Sequence, residues 1–182
     1  INNVRRKEVI KFVQQHACLG NQAYWVCPLI EESEKLELEN AINTHEELTN
    51  ALAPIKVGLV HGKMKSKDKA EVMADFTANW TQVLVATTVI EVGVDVPNAS
   101  IMVIEHSERM GLAQLHQLRG RVGRGSTESQ CVLLYEGNPS EVAKQRLKVI
   151  SSSNDGFEIA RQDLLIRGPG ELLGQRQSGL PA

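Results

Sequence analysis

The chain has 182 residues, of which 42% are hydrophobic and 23% charged. That length suits one domain of ordinary size, or one domain with an appendage, able to bury a core without disulfide or metal staples. Its 20 basic and 22 acidic side chains leave a net charge of −2, so no global field draws nucleic acid and any such contact must come from local patches. Cys18, Cys27 and Cys131 are odd in number, widely spaced and free of C-x-x-C pairing, which reads as reduced core thiols in a cytoplasmic protein. No signal-like start is present and no apolar run approaches the roughly 18–20 residues of a membrane span, so a soluble protein with no membrane partner is expected. Opening at Ile1 and closing at Ala182 beside Gly-Leu-Pro, the sequence reads as a segment of a longer polypeptide.

Val4 to Leu19 carries apolar residues at helical spacing (Val9, Ile10, Phe12, Val13) and meets a stop at Gly20-Asn21. Ala23 to Cys27 is short, apolar and aromatic, a buried strand closed by Pro28. Ser33 can cap an amphipathic helix over Glu34 to Leu52. The alternation continues with a strand at Val57–Val60, a helix at Ser66–Phe76 and a strand at Gln82–Ala86. Strands at Ser100–Ile104 and Gln130–Tyr135 flank a helix at Leu112–Leu118. Such alternation implies an α/β fold: a doubly wound, mainly parallel sheet with helices on both faces and functional loops at the carboxyl ends of its strands. After Tyr135 the pattern changes to a helical pair, Ser140–Ser151 and Phe157–Ile166, followed by a Gly- and Pro-rich segment. A boundary near Gly137 divides residues 1–137 from residues 138–182.

The strongest chemical signal is the string Gln117-Leu118-Arg119-Gly120-Arg121-Val122-Gly123-Arg124 at the end of a predicted helix. Arginines interleaved with glycines let guanidinium forks approach a bulky anion closely, and such forks suit bidentate phosphate recognition. In phosphoryl transfer they can neutralise charge developing on the γ-phosphate; a generic anion loop is the blander reading. A second motif, Ala86-Thr87-Thr88-Val89-Ile90-Glu91-Val92-Gly93-Val94-Asp95-Val96-Pro97, follows a predicted strand. Its threonine hydroxyls and amides can hold a backbone phosphate, and Asp95 can accept from a ribose hydroxyl, although Thr87 and Thr88 also read as turn residues.

Together these stretches resemble motifs V and VI of superfamily 2 helicases, and Ala23 to Glu34 and Val57 to Gly62 are similar to the family's motif IV region and the segment after it. The resemblance implies a RecA-like lobe. Arg121 and Arg124 would be arginine fingers reaching ATP and Mg2+ bound mainly by another lobe. Gly93, Asp95, Gln117 and Gly120 would serve the nucleotide. Thr87 and Thr88 would touch DNA, and His61 with Gly62, at a strand end, reads either as a further DNA contact or, for His61 the safer reading, as loop structure. The tail, Asp155-Gly156-Phe157-Glu158-Ile159-Ala160 through Arg167-Gly168-Pro169-Gly170-Glu171 and Gln175-Arg176-Gln177, resembles the translocation motif of the RecG family and of the Mfd transcription-repair coupling factors, and its Arg-Gly-Pro-Gly-Glu form favours RecG. In that motif a helical hairpin and loop couple lobe movement to duplex DNA, with Arg167 and Gln177 as the candidate tail residues; the blander reading is that the glycines only make turns and Arg167 pairs with Glu171 on the surface. The implied partners are double-stranded and branched DNA, namely stalled forks and Holliday junctions, with an N-terminal motor lobe and a DNA-wedge domain in the same, monomeric, protein. An Mfd-like translocase and a non-catalytic nucleic-acid-binding module are the alternatives.

No G-x-x-x-x-G-K-[ST] phosphate cradle occurs; Gly62-Lys63 fails because Met64 follows the lysine. The segment alone is therefore expected neither to bind ATP tightly nor to hydrolyse it. The five histidines show no metal-ligand spacing with one another or with the cysteines, so no metal site is expected. Trp25 reads as core, Trp80 as core or surface, and the lysines from Lys63 to Lys69 as a phosphate track or a solvated helix start.

Overall fold

The computed structural model describes residues 3–28, 34–87, 99–120, 130–152, 161, 165 and 166. Five strands form one parallel sheet: β1 (Gln22–Cys27), β2 (Val57–Val60), β3 (Val83–Thr87), β4 (Ala99–Ile104) and β5 (Gln130–Leu133), in the order β2-β3-β1-β4-β5. Five α-helices accompany them among the described residues: α1 (Arg6–Cys18), α2 (Glu34–Leu52), α3 (Ser66–Thr77), α4 (Leu112–Arg119) and α5 (Glu141–Ser152).

The period-two alternation of the strands sorts the core into two halves. Ala23, Trp25, Cys27, Val83, Val85, Ile101 and Val103 face α1 and α2, meeting Val9, Val13, Ala41, Leu48 and Leu52. Tyr24, Val26, Leu84, Ala86, Met102 and Ile104 face the other layer and meet Phe76 of α3, Leu112 and Leu115 of α4 and Ile150 of α5. Every residue of β1, β3 and β4 is buried, as expected of strands covered on both sides. The crossover through α2 runs from β1 outward to β2, whereas those through α3 and α4 step the opposite way across the sheet. Each direction uses its own face, which is what crossovers of one hand require.

The doubly wound α/β architecture expected from the sequence is therefore present, and the differences are local. The first helix begins with a 3-10 turn, Asn3–Arg5, before α1. It ends at Gly20, whose φ of +91° is the left-handed conformation that glycine tolerates, with its N–H donating to Ala17 O at 3.0 Å. β4 starts one residue early, at Ala99, because the ladder to β1 shifts register between Gln22 and Ala23 and leaves Ser100 as the extra residue. The shift places Ala99 on the same face as Met102. β5 ends at Leu133 rather than Tyr135. The reading of all three cysteines as core is corrected: Cys27 is buried and Cys131 half-buried, but Cys18, in the last turn of α1, is exposed. Trp25 is fully buried and Trp80, in the turn before β3, is exposed. Of the second predicted tail helix, Arg161, Leu165 and Ile166 are described and helical, with Ile166 packed against the core, while its remaining residues and the Ser33 cap lie outside the described residues.

Candidate functional site

The residues singled out in the sequence fall at two places. His61 and Gly62 follow β2, and Thr87 ends β3. Because Val60 pairs with Ala86, the parallel register puts all three at the carboxyl edge of the sheet. Gly62 is exposed and open around its Cα, whereas the Thr87 side chain is buried next to Cys27 in the ladder. His61 accepts the Lys63 backbone N–H on Nδ1 at 3.2 Å, which puts the proton of the neutral ring on Nε2. Burial first, and the positive charge of Lys69 second, hold the His61 imidazole below its ordinary pKa. Lys63, Lys65 and Lys67, which follow it in sequence, are exposed, as is Asp68, so this stretch carries a local positive excess on a chain with no net positive charge.

The second place is the C-terminal end of α4. Gly111 caps the helix and donates its N–H to Gln114 Oε1 at 3.1 Å, while Leu112 and Leu115 bury the helix's inner side. Gln117 and Gly120 are exposed at the opposite end. Gly120 has ordinary right-handed backbone at φ −68°, with its N–H donating to His116 O at 3.1 Å, so the backbone does not demand glycine there. Arg119 ties this end to α5: Nη1 donates to Ile150 O at 2.5 Å, and Nη2 lies 3.0 Å from His116 Nδ1. Burial pushes the neighbouring Cys131 thiol up to about 11 against the opposing charge of Arg119, which keeps it unreactive. Thr88, Gly93, Asp95, Arg121, Arg124, Arg167 and Gln177 lie outside the described residues.

A third cluster escaped the sequence reading. Glu105, the residue after β4, is buried and accepts from donors on three elements. Both Arg6 Nη atoms of α1 reach it, Trp25 Nε1 of β1 lies at 2.7 Å, Thr44 Oγ1 of α2 at 3.3 Å and Cys27 Sγ at 3.5 Å. Arg6 also donates to Glu47 Oε1 at 2.8 Å and lies 5.3 Å above the Trp25 ring. Burial opposes ionisation of Glu105, but the hydrogen bonds and charge of Arg6, joined by Trp25 and Cys27, outweigh it and hold the carboxyl below its usual range. Burial, and then the Glu105 charge, raise the Cys27 thiol. The next residue, His106, has φ 49° and ψ 39°, a left-handed conformation costing roughly 1–2 kcal/mol in a residue with a Cβ. Ser107 then pins the turn to the end of β5, with N–H and Oγ both donating to Leu134 O at 2.9 and 2.8 Å. The one signal in the sequence that could have led to this cluster is Trp25: a buried indole N–H needs an acceptor, and a carboxylate at the end of a neighbouring strand is one.

A RecA-like sheet whose α4 delivers the glutamine of a Q-x-x-G-R-x-G-R string decides the family when set beside known sequences. The model described as "Helicase conserved C-terminal domain" matches residues 5–126, about two thirds of the chain. The chain belongs to the helicase C-terminal domain family. A second model, "ATP-dependent DNA helicase RecG, domain 3, C-terminal", matches residues 153–182, where the tail motif was read. The ATP-dependent DNA helicase RecG of Escherichia coli (strain K12) is 62% identical over 181 residues, which is 98% of this helicase domain and 26% of that protein. RecG of Bacillus subtilis (strain 168) is 51% identical over 174 residues, 95% of this chain and 25% of the relative. The chain thus spans about a quarter of the length of the relatives it matches. Among solved structures, RecG bound to a three-way DNA junction superposes with a TM-score of 0.77 at 45% identity, covering 94% of this chain and 22% of that one. The recognition made from motifs V and VI and the tail is borne out: this is a helicase C-terminal lobe of RecG type.

Proposed function

We infer that this lobe is the second motor half of an ATP-dependent double-stranded DNA translocase that acts on branched DNA. The observation that carries the reading is similarity across 98% of the chain, the tail motif included, to proteins named ATP-dependent DNA helicase RecG. The RecG whose structure is similar is bound to a three-way DNA junction, which supports forks and junctions as the substrate class here.

In this reading Arg121 and Arg124, directly beyond α4, reach across a cleft to the phosphates of ATP, with Gln117, Gly120, Gly93 and Asp95 lining the nucleotide. The donor set suits that task, because guanidinium forks complement phosphate oxygens. Among the described residues no group of three histidine, cysteine or carboxylate side chains could hold a metal ion. Mg2+ and the phosphate cradle are assigned to the upstream motor lobe. His61, Gly62, Thr87 and Thr88, with the lysines that begin α3, follow the DNA backbone at the carboxyl edge of the sheet. Residues 138–182 act as the coupling appendage, with Arg167 and Gln177 against the duplex. The Arg119 bond to α5 supports mechanical continuity between the nucleotide-facing helix and that appendage. The whole protein functions as a cytoplasmic monomer with a DNA-wedge domain; no helix among the described residues is long and apolar enough to cross a membrane.

Two measurements test this. The isolated chain should show no ATP turnover above background with duplex or forked DNA, and robust turnover would overturn the half-site assignment. Gln177→Ala in the full-length protein should leave hydrolysis running while fork unwinding fails; intact unwinding would remove Gln177 from the coupling role.

A further inference from the structure

Glu105 gathers donors from α1, β1 and α2, and the arrangement is costly as a stabilising device. Two ionised side chains have been taken out of water, and apolar residues of the same size often hold a fold equally well in such positions. What a charged cluster adds is direction: each hydrogen bond fixes one carboxylate oxygen relative to one element. The consequence falls on the residues that follow. Glu105 N–H continues the ladder by donating to Val26 O at 3.0 Å. His106 then reverses into left-handed backbone, Ser107 fastens to Leu134, and the 3-10 turn Ser107–Arg109 leads through Met110 and Gly111 into α4. The orientation of α4 is therefore inherited from a turn whose first residue is clamped from the opposite face of the sheet. Arg6 extends the clamp, since its guanidinium spans Glu105 and Glu47 and lies over Trp25.

We propose that Glu105 is a positioning residue for ATP hydrolysis: through Arg6, Trp25 and Thr44 it locks the left-handed turn at His106 and so sets where α4 presents the arginine string that follows it. This rests on the reading of Arg121 and Arg124 as nucleotide-facing groups. Glu105 touches no reacting atom. Its effect is on the rate of the step that needs guanidinium groups in place rather than on nucleotide affinity, which is dominated by the phosphate cradle of the other lobe.

The test uses the full-length protein with forked DNA, with kcat and KM for ATP measured well below the melting temperature of every variant. Glu105→Gln preserves size and an acceptor for Trp25 but discharges the clamp, and kcat should fall about 10- to 100-fold, the scale of a misplacement near 1 Å, with KM for ATP little changed. Unchanged kcat, or a rise in KM alone, would overturn the proposal. A triple variant, Arg6→Met with Trp25→Phe and Glu105→Met, replaces the cluster by apolar groups. Recovery of the melting temperature without recovery of kcat supports positioning, and recovery of both reduces the cluster to packing. If the triple variant fails to fold, Glu105→Gln alone decides. Arg121→Ala run alongside separates the two levels: retention of turnover there would sink the arginine-finger reading itself, whatever Glu105 does.

Discussion

Replacing Trp25 by Phe probes the buried cluster with a change small enough to interpret. The ring stays in a site with no solvent exposure, but the indole N–H that donates to Glu105 Oε2 at 2.7 Å is lost. A hydrogen bond to a charged group contributes about 1.5–3 kcal/mol. The smaller ring leaves a void whose cost is comparable to deletion of a methylene, roughly 0.5–1.5 kcal/mol. Arg6 keeps an aromatic face beneath it, so little of the cation–π contact is lost. The combined cost of about 2–4.5 kcal/mol corresponds, at about 2–4 °C per kcal/mol for a chain of this size, to a melting temperature lowered by roughly 4–18 °C. Trp80→Phe is the matched control: that side chain is 68% exposed, and its replacement should stay within about ±0.5 kcal/mol. Thermal unfolding by circular dichroism reads both variants. In Trp80→Phe the fluorescence reports Trp25 alone, so its emission should start blue-shifted and move red on unfolding. A Trp25→Phe protein that melts with the wild type would refute the Trp25–Glu105 bond and the clamp built on it.

The same cluster sets a pH dependence. The Glu105 pKa is depressed in the folded state, so its contribution is complete above the unfolded value near 4.5 and is lost as the pH falls through the folded value. Urea midpoints should therefore separate wild type from Glu105→Gln at about pH 7 and converge as the pH is lowered through about 4.5 and below; a constant gap would contradict the ionised assignment. His61 would respond in the opposite sense to a bound phosphate. Burial and Lys69 depress its ring, and a phosphate at Nε2 would favour the charged form. Duplex binding should take up a proton and tighten from about pH 7.5 to about pH 5.5, and His61→Gln should lose that part of the dependence; identical profiles would remove His61 from the DNA surface.

Much of this was legible in the sequence because it follows from periodicity. β1, β3 and β4 are short apolar runs bounded by breakers, and the helices between them carry their apolar residues at helical spacing. The arginine string was legible as a family signature for a different reason, since three arginines interleaved with glycines within six residues are an unusual pattern. Strand order was not, because periodicity says which face a residue takes but not which strand lies beside it. The register shift at Gln22 was equally invisible. The exposure of Cys18 follows from helix phase rather than hydrophobicity, because it falls on the outer side of the last turn of α1. The Glu105 cluster stayed hidden because Arg6 and Glu105 are separated by 99 positions, and only the folded sheet brings them together.

ATP hydrolysis by the full-length protein carrying Arg121→Ala or Arg124→Ala, measured with saturating forked DNA, bears most directly on the split nucleotide pocket. Turnover should fall about 10³- to 10⁵-fold while duplex affinity is retained. Hydrolysis within about tenfold of the wild type in both variants would mean that these guanidinium groups do not face the transferring phosphate.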